Sequence, residues 1–526
     1  MPSGGEVLVA ALAARGVDTV FGIPGTHNLA VYAALAAHGI RHISPRHEQG
    51  AGYAADGYAR SAGRPGVVLT TTGPGILNAA AAAAQAYSDS VPVLFISPGM
   101  PLWHPVLGNG FLHEVKNQSA AMDAIVEYSH RVTSVEEIPL AVARAFAVMT
   151  SGRPRPVHLE IPLDLLEEEA RAPLLPDAPG APTASTAYGS PLAATALAAA
   201  ATPVLIVGGG AHQATDQLVA FADALGAPVF TTANGKGAFP TDHPLHAGAG
   251  VHHPAVQAAV GEADLVVAVG TELAPSDWWF GLPELTGKLV RIDIDPISMH
   301  RNAPATHALV GDCRRVLDDL LAHLGDSSAD GTARAAVLRT RHQADARAEG
   351  EPWLEMLAAI EAALPPEAIV AADNAMVSYY GALSNLPRRF LYPTGAGTLG
   401  YGLPAGIGAK VANPELPVLV LQGDGGIMFT IAELATAAEL RLPLPIVVVD
   451  NGGYGEIRNE MADRGDPVHA VALGHPDFVA LGKSLGCRGV LVGAAELAGA
   501  IETALTSDRP TVIHILESSR AAKALL

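Results

Sequence analysis

Cysteine is almost missing from this chain: Cys313 and Cys487 are the only two in 526 residues. They lie far apart and match no metal or redox spacing. A disulfide framework is therefore excluded as the organising device, and a reducing, cytoplasmic setting is expected. Basic residues are also few, 32 Lys and Arg against 52 Asp and Glu, for a formal net charge of −20. No Lys/Arg cluster is long enough to follow a phosphate backbone, so nucleic acid is not an expected partner. No run approaches the roughly 18 uninterrupted apolar residues that a membrane span needs. The N-terminal stretch MPSGGEVLVAALAARGVDTVFG has no basic region followed by an apolar one. It reads as a helix leading into a strand, and no membrane partner is expected.

What is present fits a globular protein with large cores: 49% hydrophobic and only 16% charged residues. The abundant Ala points to close helix packing, or to the base composition of the genome. At roughly 100–200 residues per domain, about three domains are expected. Short apolar, β-branched runs ending in Gly/Pro turns recur along the chain, among them DTVFGIPG, PGVVLTTTGPG and PVLFISPG in the first third. PVLIVGGG, APVFTTANGKGAFP, ADLVVAVG and KLVRIDIDP follow in the middle, and AIVAADN, LPVLVLQGDGG, LPIVVVDNGG and PTVIHILE at the end. Ala-rich helical stretches separate them. Such alternation predicts parallel sheets covered on both faces. A stretch rich in Pro, Ala, Ser and Thr at 173–190 reads as a linker, and a charged segment at 328–350 as a helix leading to the last block. The expected fold class is α/β, three consecutive doubly wound parallel-sheet domains at 1–172, 191–327 and 351–526. Ligands should sit at the C-terminal ends of the strands.

Residues 423–455 carry the most specific motif. A strand ends in Gly423-Asp424-Gly425, a helix follows, and a second strand ends in Asp450-Asn451-Gly452-Gly453. This unit would bring Asp424 and Asn451 to neighbouring strand ends. A carboxylate, an amide oxygen and a nearby backbone carbonyl are hard ligands that suit Mg²⁺ or Ca²⁺, with a diphosphate completing the octahedron. The glycines let the backbone approach phosphates, and a helix N-terminus favours their charge.

The segment resembles the cofactor signature of thiamine-diphosphate-dependent enzymes. The resemblance implies that Asp424 and Asn451 bind Mg²⁺ through side chains and Gly453 through its carbonyl, beside a diphosphate held at Gly423, Asp424 and Gly425. RHEQGAGYAADGYAR resembles the family's second hallmark, a Glu opening a helix in the pyrimidine-binding domain. Glu48 would then hydrogen-bond the aminopyrimidine and relay a proton. Taken alone, Glu48 reads equally as a first-turn acid favoured by the helix dipole. In TGAGTLGYGLP, Gly397 aligns with the residue whose carbonyl accepts from the aminopyrimidine, and Leu399 with the bulky residue that bends the cofactor. The resemblance names the three domains pyrimidine-binding, central and diphosphate-binding. It also implies a homodimer or homotetramer in which Glu48 of one chain serves a cofactor held by another. Thiamine diphosphate supplies a carbanion for attack on a keto carbon and an electron sink for loss of CO₂.

The substrate side is less defined. Thr26, His104 and His113 are candidate catalytic residues, with His27, Thr71, Glu114, Asn374 and Glu456 as further candidates. Pro105 and Ile457 stand where pyruvate decarboxylases carry a second His and a Glu, and Thr71 where benzoylformate decarboxylase carries a His. Neither set of proton donors can be copied over. PRHEQGAG, GNGFLHEVKNQ and DNGGYGEIR look most like the acetolactate-synthase-like group that contains 5-guanidino-2-oxopentanoate decarboxylase. Glu114 or Glu456 could pair with a guanidinium. FAD, which acetolactate synthases bind in the middle domain, is not expected, because GGG at 208–210 is no GxGxxG fingerprint. The expected activity is decarboxylation of a small 2-oxo acid to an aldehyde. The alternatives are an acetolactate-synthase-type carboligase and a non-catalytic thiamine-diphosphate-binding protein.

Overall fold

Among the described residues, eighteen strands gather into three six-stranded sheets, and every pairing within them is parallel. The computed structural model describes residues 1–104, 108–170, 190–279, 281–285, 287–324, 331–474 and 476–517. The expected linker at 173–190 lies outside them except for Ser190, which opens the helix Ser190–Ala199; Pro105, too, lies outside. No helix is long and apolar enough to cross a membrane among the described residues.

The first sheet holds β1 (Thr19–Gly22), β2 (Arg41–Ile43), β3 (Gly66–Leu69), β4 (Val93–Gly99), β5 (Ser129–Arg131) and β6 (Val157–Pro162), in the order β2-β1-β3-β4-β6-β5. The third repeats that order with β13 (Ile369–Ala372), β14 (Arg389–Leu391), β15 (Val418–Gly423), β16 (Pro445–Asp450), β17 (Arg488–Val492) and β18 (Thr511–Leu516). The second holds β7 (Val204–Val207), β8 (Val229–Thr231), β9 (His246–Ala249), β10 (Val266–Val269), β11 (Leu289–Asp293) and β12 (His307–Val310). Its order, β12-β11-β10-β7-β8-β9, is that of the dinucleotide-binding doubly wound sheet. Side chains alternate between two apolar layers on every sheet. Val67 and Leu69 pack on one face and Val68 on the other; Val267 and Val269 oppose Val266 and Ala268; Val370 opposes Ile369 and Ala371. Burial on both faces explains the unbroken apolar runs of the central strands.

The three units are locked together by polar groups. The helix Glu48–Ala62 of the first lies on the helix Gly402–Ala412 of the third at backbone contact. A Cβ on Gly57 would sit 2.2 Å from the Ala405 carbonyl oxygen, and one on Gly408 1.8 Å from that of Ala54. At this crossing, small residues serve close packing. Beside it, Arg60 donates to Asp56 (2.8 Å) and Asp89 (2.6 Å) in its own unit, to Asn234 Oδ1 (3.0 Å) in the second and to the Tyr392 carbonyl (3.2 Å) in the third. Asp89 also accepts from the Thr394 hydroxyl (2.6 Å) and the Gly395 amide (2.8 Å). The second and third units meet at Lys236, whose ammonium donates to the Ala382 and Leu383 carbonyls at 2.5 and 2.7 Å; burial pushes it down to about 7.

Removing Arg60 leaves two buried carboxylates facing each other, so Arg60→Ala should cost about 3–5 kcal/mol of stability. Chemical denaturation reads this directly, and an unchanged midpoint would mean that the junction is not held by charge. Buried imidazoles set the acid limit. Burial pushes His158 down to about 3, and His212 and His246 to about 4. The unfolded chain protonates these rings near their ordinary 6.5 while the folded rings stay neutral. Their contribution is thus intact above about 6.5 and shrinks as the pH falls towards 4. Melting temperature should drop across that window, with a shallower slope in His158→Gln; identical slopes would remove His158 as a cause.

Candidate active site

The third sheet reverses strand order between β13 and β15, and a cavity of about 570 Å³ opens at the C-terminal ends of these strands. Gly397, Leu399, Gly423, Asp424, Gly425, Asn451 and Gly453 all line it. These are the seven cofactor and metal candidates expected in the last third of the chain. Asp424 opens the short helix Asp424–Ile427 straight after β15, and Asn451 follows β16, which pairs in register beside β15. The Asn451 amide N–H points to Asp424 Oδ1 at 3.4 Å. Asn451 Oδ1 is buried and finds no hydrogen-bond partner. Burial, and then the like charge of Asp450 behind it, pushes the Asp424 carboxyl up to about 6. A buried carboxylate short of positive charge next to an orphaned amide oxygen fits a divalent cation that would satisfy both.

Glycines shape the floor of this cradle. A Cβ on Gly425 would come within 3.1 Å of the Tyr454 ring and 3.3 Å of the Gly453 carbonyl oxygen, and one on Gly426 within 2.6 Å of Asp373 Oδ2. Gly453 has φ +129° and Gly397 φ +62°, backbone that an L side chain rarely adopts. The loop carrying Gly397 and Leu399 is anchored at both ends. Thr398 donates through its hydroxyl to Gln85 Oε1 at 3.1 Å, and the Gly400 amide donates to Asp373 Oδ2 at 2.8 Å. Asp373 is fully buried and also accepts from Gln422 Nε2 at 2.8 Å and from the Tyr401 amide at 3.3 Å. Its part in holding this loop was not foreseen from sequence.

The candidates of the first unit do not line the cavity. Glu48 is 8% exposed, opens its helix, and accepts from Asn78 Nδ2 at 3.0 Å. Around it the structure brings together Thr71, which meets Gly25 beside Thr26, and His113, whose carbonyl lies over Gly73. His113 sits in left-handed backbone (φ +64°), and its ring meets that of His27 edge-on at 5.0 Å. Burial, and then His113, hold His27 below its ordinary value. Five buried polar atoms here find no partner: His27 Nδ1, His113 Nδ1 and the hydroxyls of Thr70, Thr71 and Thr72. Unpartnered buried polar atoms are few in folded proteins, and this concentration of them marks the surroundings of Glu48 as a candidate site. His104 stands apart, its Nε2 3.2 Å from Asn109 Oδ1 and 3.5 Å from Glu114. Glu114 accepts from the Gly108 and Gly110 amides at 3.1 Å each, so it braces its own loop.

Sequence reasoning also missed the other wall of the cavity, formed by Asp277, Trp279, His252, Tyr379 and Tyr380. The adjacent tryptophans of PSDWWFG, half of the four in the chain, were the available signal. At the middle sheet, the glycines at 208–210 serve close approach of two turns: the Gly210 amide donates to the Gly270 carbonyl at 3.0 Å, and a Cβ on Gly208 would lie 2.3 Å from that oxygen.

Residues 2–121 match the N-terminal thiamine pyrophosphate binding domain of thiamine pyrophosphate enzymes, residues 192–320 their central domain, and residues 373–515 their C-terminal thiamine pyrophosphate binding domain. A probable 2-ketoarginine decarboxylase, AruI, from Pseudomonas aeruginosa is 46% identical over 498 residues, covering 92% of this chain and 88% of that protein. A probable acetolactate synthase large subunit from Methanocaldococcus jannaschii is 34% identical, covering 98% and 91%. The acetolactate synthase isozyme 2 large subunit of Escherichia coli is 34% identical, covering 98% and 95%.

Proposed function

The chain belongs to the thiamine pyrophosphate enzyme family, and on that premise we propose that it decarboxylates 5-guanidino-2-oxopentanoate to the corresponding aldehyde and CO₂. It is a thiamine-diphosphate-dependent enzyme that decarboxylates a 2-oxo acid. The guanidino substrate rests on the similarity to AruI and on a cavity whose described lining holds, besides Asp424, the carboxyl groups of Asp277 and Glu456 and no Lys or Arg. Carboligation of two oxo acids is the second reading, favoured by the acetolactate synthases at 34% identity.

One observation carries the division of labour: the buried, partnerless Asn451 Oδ1 beside Asp424 at the strand switch. In our reading, Asp424, Asn451 and the Gly453 carbonyl hold Mg²⁺, while Gly423 and Gly425 leave room for the diphosphate. Gly397 would accept a hydrogen bond from the aminopyrimidine, and Leu399 would bend the cofactor. Glu48 lies outside the cavity of its own chain, so a second copy would bring its Glu48, with Thr26 and His113, to the first copy's cofactor. His104 is kept with them as a proton-handling candidate. The orphaned polar atoms around Glu48 support this arrangement, which makes a homodimer the minimum and a homotetramer its doubled form. The units 1–172, 191–327 and 351–526 would be the pyrimidine-binding, central and diphosphate-binding domains. Two buried, unpaired cysteines accord with a cytoplasmic enzyme.

Purified protein supplied with Mg²⁺ and thiamine diphosphate should release one CO₂ per 5-guanidino-2-oxopentanoate, with the guanidino aldehyde as product. Acetolactate from pyruvate, with the guanidino acid untouched, would replace this reading with the carboligase. Glu48→Gln should keep cofactor binding and cut turnover roughly 10²-fold or more. Unchanged turnover would take Glu48 out of the chemistry.

A further inference from the structure

Glu456 opens the helix Gly455–Asp463 and lines the cavity, five residues beyond Asn451. It is not solvated like an ordinary surface acid: Tyr380 donates its hydroxyl to Oε1 at 2.8 Å. Tyr380 belongs to the π-helix Val377–Ala382, a wide turn that often marks functional segments. Its ring is fixed by the Trp353 ring stacked at 6.4 Å and by Trp279 edge-on at 5.3 Å.

Trp279 is the more unusual partner. It comes from the second unit, lines the same cavity, and stays 41% exposed. Its backbone is left-handed, φ +48°, a conformation that a bulky residue keeps only when its surroundings hold it. The indole is held by a face-to-face stack on His252, ring centres 3.8 Å apart and planes 9° apart. His252 is in turn fixed by Glu349, 3.2 Å from its Nε2, and His253 joins the same carboxylate at 3.3 Å. A strained, exposed aromatic ring thus shares with this carboxylate a cavity whose described lining supplies no Lys or Arg, and Tyr380 touches both. Among the described ion pairs, none involves Glu456. Asp277 shares this wall, but burial pushes its carboxyl up to about 7, so Glu456 is the carboxylate on which the anchor rests.

We propose that Glu456, held by the Tyr380 hydroxyl, and the exposed ring of Trp279 anchor the cationic end of the substrate, and that this end is a planar guanidinium. A guanidinium offers N–H edges to a carboxylate while its face lies on an aromatic ring; an ammonium does only the first well. The assignment rests on the decarboxylase reading but concerns a different group of atoms, so the two can fail separately.

The test has two arms on the holoenzyme with Mg²⁺ and thiamine diphosphate. In the first, kcat/KM is measured for 5-guanidino-2-oxopentanoate and for 2-oxohexanoate, whose side chain carries no charge. Glu456→Gln should lower the ratio of the two at least tenfold, mainly through KM of the guanidino acid, and Trp279→Leu should move it the same way. A charge-assisted contact of about 1.5–3 kcal/mol corresponds to roughly 10- to 150-fold. Equal losses on both substrates, or none, would overturn the anchor. In the second arm, calorimetry follows 5-guanidinopentanoate, which has no keto group to react, and the matching amine 6-aminohexanoate. The guanidino acid should bind more tightly than the amine and lose at least tenfold in Glu456→Gln. Equal binding to wild type and variant refutes the anchor. Glu456-dependent binding without turnover of the oxo acid keeps the anchor and refutes the proposed reaction.

Discussion

The Arg60–Asp89 pair is the constraint on which the site depends. Arg60 reaches all three units, and Asp89 receives the Thr394 and Gly395 groups that lead into the Gly397–Leu399 loop. The loop at the cavity mouth is therefore positioned by a charge pair rooted in a different sheet. Such a pair is costly to desolvate, but once buried and multiply hydrogen-bonded it resists any sliding of the units past one another. Lys236 acts likewise from the second unit, steadying the end of the helix that presents Tyr379 and Tyr380. The cavity lies where these tethers converge, with walls from the second and third units.

The two sheets of identical strand order are used differently. The third sheet's strand ends make a glycine-floored cradle with hard oxygen donors. The first sheet's strand ends present Glu48 amid threonines and histidines whose polar atoms lack partners. The cradle of hard oxygens suits a cation and a diphosphate, and the cluster around Glu48 holds buried polar atoms able to hydrogen-bond. Apposition of two chains would bring these two halves to one cofactor, which is the physical content of the proposed dimer.

The central strands were readable because burial on both faces forces continuous apolar runs, as in VVAV of β10 and VLVL of β15. Seven strands gave no such signal. Six of them, β2, β5, β9, β12, β14 and β17, lie at sheet edges, where one flank is solvated or covered by loops; β17, for instance, is largely exposed. The seventh, β6, is wholly buried, but its run is broken by His158 and Glu160. Both are tolerated because His158 is held between Ser97 and Ser129, and Glu160 pairs with Arg131. Only tertiary structure reveals those partners. The same holds for the site. Asp424, Asn451 and the glycines were legible because their spacing is local, within one strand–helix–strand unit. Asp373, Trp279 and His252 acquire their positions through contacts between distant segments; the paired tryptophans mark Trp279 as unusual, but no local pattern places any of the three in the site.

In the proposed arrangement Asp424 and Asn451 form, with a divalent cation, the seat of a diphosphate. Calorimetric titration of thiamine diphosphate into wild type and Asp424→Ala, each with and without Mg²⁺, addresses it directly. Tight binding is expected to wild type only when Mg²⁺ is present, and none to the variant under either condition. Equal binding by both proteins, or binding indifferent to the metal, would contradict it.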